Sequence, residues 1–508
     1  MGGGRVSMFL SRKRGVLLHF TSLNGPYGAG DLGPAARQMG ELLVQGGWTL
    51  WQMLPLNYPN PAMGYSPYAA YGAFPLNPTI ISIDDLVSQG LIGADLAKSL
   101  RVPLDDPWRA DLAGAFASRR RAVEEAFRAF RGGARQDLEE DYQGFLEDNS
   151  FWIHRWGLFM ALKESFRGEI WTRWPSWAGR FETALAQAGG ELLDRSEFFK
   201  FEQFLAFRQF RSFRDFCASR GIVLVGDLPI YVAHDGMDPW AFPELFELDG
   251  EGNPVEVAGV PPDYFSDTGQ RWGNPLYRWE VMKEDRYHWW FMRLKASLQV
   301  FDVVRIDHFR GFAGYWAIPF EEETAVRGRW REGPGSGFFD LILERFGFAS
   351  PEEGKPCPLP LVAEDLGVIT DDVTSLRLKY GMPGMRVLQF AFSGGEDNPH
   401  LPWNHEALGV AYTGTHDNDT SLGWWLKASP EERGALRRMV GRSLDPEGAV
   451  EAMVRLILCS PSRWRVIPLQ DLLCLGSGHR MNTPSSVKGN WVFRAHRVEP
   501  RRLLAWSI

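Results

Sequence analysis

Cysteine is scarce: four in 508 residues, Cys217, Cys357, Cys459 and Cys474, none closer than fifteen positions to the next. That spacing excludes a local CxxC metal knuckle and a disulfide-dense scaffold, and it fits a reducing cytoplasm. Long apolar runs are missing too. No stretch approaches the ~20 consecutive apolar residues that cross a bilayer, and the opening MGGGRVSMFLSRKRG lacks the apolar core of a secretory signal. No long basic run occurs either. Fifty-five Lys and Arg against 63 Asp and Glu give a net charge of −8, without the electrostatic footprint of nucleic-acid binding. Repeats and low-complexity tracts are likewise absent. What is present is a globular composition, 44% hydrophobic and 23% charged, with an unusual 21 Trp. Tryptophan offers flat apolar faces with an N–H at the rim, which serve a core or stack on sugar rings.

Eight short β-branched or aromatic runs read as buried strands: Val16–Phe20, Leu50–Leu56, Ile222–Asp227, Val303–Asp307, Leu361–Asp365, Arg386–Phe390, Val410–Thr415 and Arg465–Leu469. Helical patterns follow most of them, as at Pro34–Val44 and Asp371–Lys379. Alternation of this kind implies parallel pairing, and eight units spell a (β/α)8 TIM barrel, an α/β fold. A bare barrel needs about 250 residues, so the rest of the chain is insertion. Residues 57–215 are expected to form an insertion between the second and third strands, with a helical subdomain whose helices include Ala115–Phe130 and Asp148–Phe166. Residues 230–298 are expected to form a loop-rich insertion between the third and fourth strands, aperiodic over Ala233–Glu280; Gly333–Gly337 reads as a further loop.

Active sites of such barrels lie at the C-terminal ends of the strands. Here those ends are acidic: Asp227, Asp307, Glu364 with Asp365, and Asp417. One Asp after a strand is ordinarily a helix N-cap. Four such ends at one mouth repel one another unless function or a cation compensates. Carboxylate clusters serve either a divalent metal or the cleavage of glycosidic bonds. Arg305 lies two residues before Asp307 on a strand, hence on the same face, and a fixed cation there keeps a nucleophilic carboxylate ionised. Glu364 is then the proton donor, its pKa raised by the charge of Asp307. Asp417 suits the holding of sugar hydroxyls in a distorted transition state, and His416 can donate to the same ring. The His416-Asp417-Asn418-Asp419 run could ligate a cation, but it lacks the Gly and Glu of a calcium loop and the second His of zinc motifs. No metal and no cofactor are expected.

Two rival classes stand beside this reading. Gly28-Ala29-Gly30-Asp31-Leu32-Gly33 matches the GxGxxG dinucleotide fingerprint of nicotinamide or flavin enzymes. Against it, Asp31 would set a negative charge beside a pyrophosphate, and no acid closes the next strand to hold a ribose. Asp31 reads instead as a helix N-cap. The other rival is a non-catalytic glucan-binding scaffold, which would need no full set of acid, nucleophile and stabiliser.

Long motifs along nearly the whole chain carry a resemblance: GVLLHFTSLNGPYGAGDLG, WQMLPL, GYSPY, GDLPIYVAHDGMDPWAFPELF, GVPPDYFSDTGQRWGNPLYRWE, RIDHFRGF, AEDLG, PGMRVLQFAF, YTGTHDNDTSLGWW, QDLL and RMNTP. The chain resembles the amylomaltases, the 4-alpha-glucanotransferases or disproportionating enzymes of glycoside hydrolase family 77 in the alpha-amylase superfamily. The resemblance implies a barrel without a C-terminal β-sandwich. It implies Asp307 as nucleophile, Glu364 as general acid/base and Asp417 as transition-state stabiliser. Arg305 and His416 would then flank the reacting sugar, Asp263, Gln270 and Trp272 would belong to a loop over the acceptor side, Ser66 and Tyr68 would line the groove, and Asp227 would support the site. The implied partners are α-1,4-glucans and glucose, with transfer rather than hydrolysis resting on the resemblance; an α-amylase-like hydrolase is the alternative. The chain departs from the family pattern at His19-Phe20-Thr21-Ser22, Gly72-Ala73-Phe74 and Pro484-Ser485-Ser486.

Overall fold

The computed structural model describes residues 7–262, 266–352, 354–484, 486 and 488–506. Strands occur at β1 (Lys13–Leu17), β2 (Leu50–Gln52), β3 (Val223–Leu228), β4 (Glu256–Val260), β5 (Gln270–Pro275), β6 (Val303–Ile306), β7 (Gly314–Pro319), β8 (Arg329–Glu332), β9 (Leu361–Ala363), β10 (Gly384–Val387), β11 (Gly409–Tyr412) and β12 (Trp464–Pro468). Eight of them pair in parallel in the order β10-β11-β12-β1-β2-β3-β6-β9. The two ends meet where Ala363 N–H donates to the Pro383 carbonyl at 2.9 Å. Beside that contact the Asp365 carboxylate accepts the Met385 N–H at 2.6 Å. The result is a nearly closed (β/α)8 barrel.

Burial on both faces explains why these strands read as continuous apolar runs: every residue of β3 and β12 is buried. Close packing fixes some positions tightly. A Cβ at Gly226 would fall 2.1 Å from the Phe301 ring, so glycine lets β3 lie against its neighbour just before Asp227. Strand ends fall short of the apolar runs in several places. β2 stops at Gln52 rather than Leu56, and Pro55 in that run has no N–H for a ladder. After β1 the chain turns into a 3-10 segment at Phe20–Ser22.

Helices Leu112–Arg131, Glu139–Asp148, Ile153–Ser165 and Gly190–Ala218 lie between β2 and β3. The first and third match the two expected helices; the third begins later, because Asn149 takes the Trp152 indole N–H at 3.1 Å and turns the chain. The 29-residue helix Gly190–Ala218 had no periodic signal. Its buried residues include Phe199, Lys200, Phe201 and Glu202 in succession, so neighbours surround it and no single apolar stripe is written into it.

The region read as long loops between β3 and β6 is partly sheet. β4 and β5 join β7 and β8 in a four-stranded antiparallel sheet, order β5-β4-β7-β8, packed over the mouth. Its strands are short, and β5 is an edge strand carrying polar Gln270 and Arg271, so neither apolar run nor alternation marks it. Gly333–Gly337 also differs, since a helix begins at Gly335. Among the described residues no helix is long and apolar enough to cross a membrane. The four cysteines are free thiols.

Candidate active site

Arg305 of β6 lies opposite Asp227 of β3 in the ladder. Its Nη1 stands 2.7 Å from Asp227 Oδ1 and 2.9 Å from Asp307 Oδ1. Its Nε reaches the Met385 sulfur at 3.2 Å. The guanidinium is therefore locked on the barrel axis side of β6, as the shared face of Arg305 and Asp307 requires. Burial pushes its pKa down, but Asp227, Asp307, Tyr68 and Glu364 outweigh that and hold it charged. Asp227 is buried at the neck of the mouth and is pushed up by that burial, against the pull of Arg305. It also accepts the Tyr68 hydroxyl at 2.7 Å.

Glu364 follows β9, and its backbone N–H donates to the Ile306 carbonyl at 3.0 Å. Its carboxylate accepts two main-chain donors, His308 N–H at 2.7 Å and Leu366 N–H at 2.9 Å. His308 reaches that position in a left-handed conformation, φ 52°, a strained geometry of the kind found at functional sites. The Glu364 pKa is pushed up to about 7, by burial first, with Arg305 pulling it down and Asp307 pushing it up again. The expected rise is present, but desolvation rather than the charge of Asp307 is its main cause.

His416 and Asp417 follow β11, where Asn418 Oδ1 accepts from Thr415 N–H at 2.8 Å and shapes the turn. His416 is buried, its ring stacked on Tyr68 at 5.1 Å and 16°. Its Nε2 lies 3.3 Å from Asp417 Oδ2. Burial lowers the His416 pKa, yet Asp417 more than offsets this and the net shift is upward. For Asp417, desolvation pushes upward, but His416 and the Asn482 amide at 2.6 Å hold the carboxyl well below the usual range. Half of the Asp417 side chain, 50%, is open toward the mouth. Tyr68 feels the charges of Asp227, Asp307 and Asp417 together, so those three carboxylates line one mouth.

Three residues that the sequence reading did not single out belong here. Asn482 holds Asp417, Arg480 donates to the Asp417 carbonyl at 2.8 Å, and the Trp491 ring lies 5.7 Å from Tyr68. Arg480 and Asn482 sit inside the RMNTP motif, which was visible; Trp491 had no local signal. Ser66 and Tyr68 come from an irregular hairpin in which Asn57 bridges Leu76 and Pro59 bridges Ala70. The Ser66 hydroxyl accepts the Tyr68 N–H at 3.3 Å. Trp272 on β5 is 38% exposed, with its ring 4.8 Å from His308 and its N–H on Gln270 at 3.1 Å. Asp263 lies outside the described residues, as does Ser485.

Two acids behave differently from their sequence reading. Asp365 does not join the mouth: it is buried between Arg377 at 3.1 Å and Arg386 at 3.2 Å. Asp31 is not itself the N-cap of the helix Pro34–Gln45, since Gly33 occupies that place. Asp31 accepts the Gly33 N–H at 2.9 Å and forms a buried pair with Arg119 at 2.9 Å. Asp419 is engaged by Lys427 at 2.6 Å and Ser477 at 2.9 Å. Among the described residues no group of three or more His, Cys, Asp or Glu is arranged to hold a metal ion.

Fold and site together define a (β/α)8-barrel enzyme with a carboxylate-lined mouth. The family model of glycoside hydrolase family 77, described as 4-alpha-glucanotransferase, matches residues 18–499. A 4-alpha-glucanotransferase of Thermus thermophilus is 45% identical over 498 residues, 96% of this chain and 95% of its own length. One of Synechocystis is 42% identical over 502 residues, 98% and 96% of the two chains. The solved structure of an amylomaltase from Streptococcus agalactiae in complex with acarbose superposes with a TM-score of 0.90 at 34% identity, covering 98% of each chain. The chain belongs to glycoside hydrolase family 77, and its activity is that of a 4-alpha-glucanotransferase.

Proposed function

We propose that the enzyme moves α-1,4-glucan segments from a malto-oligosaccharide donor to the 4-hydroxyl of an acceptor glucan or glucose, with retention, through a covalent glycosyl-Asp307 intermediate. The observation that carries this is the unequal pair at the mouth: Asp307 ion-paired to Arg305 at 2.9 Å, and Glu364 with its pKa pushed up to about 7. The first is prepared to attack an anomeric carbon, the second to protonate the leaving oxygen. Glu364, now a base, then takes the proton of the acceptor hydroxyl as the glycosyl–aspartate bond breaks. Asp417, held ionised, grips ring hydroxyls more tightly in the distorted transition state, with His416, Arg305, Asp227 and Tyr68 around the same sugar. That the Streptococcus agalactiae relative was solved in complex with acarbose supports a glucan as substrate.

The acceptor determines the outcome. A glucan must outcompete water at ~55 M, which needs a surface that positions the sugar and loops that exclude solvent. Gln270 and Trp272, with Asp263 in the same sequence motif, are assigned that task, and Ser66 is assigned to the lining of the groove. The free thiols suit a reducing cytoplasm. Incubation with maltotriose tests the reading: glucose and a ladder of longer α-1,4-glucans should form while total reducing ends stay nearly constant. A rise in reducing ends in step with product would make the enzyme an α-amylase-like hydrolase. No nicotinamide, metal or phosphate should be required, and loss of activity on chelation would overturn that expectation.

A further inference from the structure

Two histidines line one small, partly open cavity beside the mouth. Its volume is about 20 Å³, and His19, Leu54, His416, Asp419, Asp471 and Arg480 contribute to its walls. A buried water needs roughly 10–15 Å³ and two or more polar partners, so the space takes a water and little else. Asp471 is engaged by Thr413 at 2.6 Å and by the Ser421 hydroxyl at 2.7 Å. Asp419 is held by Lys427, and Arg480 by the Asp417 carbonyl. His19 is different.

His19 follows β1 and is 5% exposed. Its Nδ1 is sealed in protein with no hydrogen-bond partner among the described residues. An orphaned acceptor is tolerated inside proteins better than an orphaned N–H, which puts the ring proton on Nε2, the nitrogen left to serve the cavity. Burial, and then the charge of His416, push the His19 pKa down to about 3. The ring is therefore a neutral imidazole with one donor. His416 is fixed by Tyr68 on its face and by Asp417 at Nε2, and it lines the same cavity as His19.

We propose that His19 is a positioning residue for His416: its Nε2–H donates to a water in this cavity, and that water fixes the orientation and proton placement of the His416 ring. The inference rests on the reading of His416 as a group that grips the reacting sugar. It adds a hydrogen-bonded support reaching from β1 to the segment after β11.

Amide substitutions test this, because the Gln amide nitrogen falls near the place of Nε2 and the Asn amide nitrogen near that of Nδ1. With maltotriose as substrate, kcat/KM should fall about tenfold in His19→Asn and His19→Ala and stay within about twofold in His19→Gln, the range of directly coupled side chains. A double-mutant cycle supplies the second readout. In a His416→Ala background, His19→Ala should cost less than about twofold more, since its route of action is already gone. Should His19→Ala fail to fold, His19→Asn closes the cycle. Equal losses in the Asn and Gln variants, or losses that multiply across the cycle, would overturn the proposal while leaving the role of His416 intact. If His416→Ala alone kept full activity, the reading of His416 would fail and this proposal with it.

Discussion

In the proposed mechanism Glu364 holds a proton and then surrenders it, and the forces on it are set against each other. Burial raises its pKa, whereas Arg305 and two main-chain N–H donors favour the charged form. The acid form is required for the first step, so activity should decline as pH rises through about 7, the value to which the group is pushed. Glu364→Gln should lower kcat on maltotriose by about 10² to 10⁴, yet an α-glucosyl fluoride, whose leaving group needs little protonation, should still load the enzyme. Mass spectrometry should then find the added sugar on Asp307; a label on Asp417 would reverse the roles. Asp307→Asn should lose at least about 10⁴-fold on every substrate, fluoride included. Glu202, far from the mouth on the helix Gly190–Ala218, poses a related problem without a catalytic use. It is 1% exposed, its Oε2 has no hydrogen-bond partner among the described residues, and burial pushes its pKa up to about 7 despite Arg120 and Arg195. A raised acid binds more protons folded than unfolded, so the contribution of Glu202 to stability is fullest below pH 4.5 and falls as pH climbs to about 7. Glu202→Gln should match the parent near pH 4.5 and exceed it by up to about 3 kcal/mol at pH 8 in equilibrium denaturation.

At the scale of elements, the proposed function assigns the four-stranded sheet to the acceptor, as it assigns the barrel to the donor. Its edge strand β5 presents Trp272, whose ring meets His308, the residue after Asp307. Trp272→Ala should leave the loading of Asp307 nearly intact and raise the share of intermediate lost to water by about tenfold, read as new reducing ends per glucose released. Another joint lies where helix Leu112–Arg131 meets the loop after β1. Arg119, fully buried, donates to the carbonyls of Tyr27 and Ala29 and to Asp31. Burial disfavours the charged form of both Arg119 and Asp31, so the pair fixes how the insertion docks more than it stabilises. Arg119→Met should nevertheless cost about 3–5 kcal/mol, because it strands Asp31. The barrel strands and the acids that follow them were legible because a strand buried on both faces is an uninterrupted apolar run, and a site at its C-terminal end follows from the fold. Arg305, Asp307 and Glu364 could be placed that way. β5 could not, since a polar edge strand shows neither an apolar run nor alternation, and β4 finds β5 and β7 only in the folded sheet; nor could the helix Gly190–Ala218, whose enclosed middle carries no single apolar stripe. Trp491 reaches Tyr68 only through tertiary folding, and no neighbour in sequence foretells it.

At the scale of the molecule, the barrel and its coverings form one continuous apolar core running from β1 to the helices of the insertion. The barrel wall is not uniform. Seven of its joints are strand ladders, while β9 and β10 meet through Ala363 N–H and through the Asp365 side chain. In a cask, the hoop is only as tight as its loosest pair of staves, and here the loosest pair is held by a peg. Glu364 stands one residue before that peg, on a stave whose other edge is laddered to β6. Opening of this seam alone leaves Glu364 beside Asp307, because its N–H stays on the Ile306 carbonyl and its carboxylate on the His308 N–H, on either side of Asp307. Warming should therefore bare the amides of Ala363 and Met385 to hydrogen exchange before it parts the two carboxylates, so the wall slackens on one side of the acid while the pair keeps its spacing.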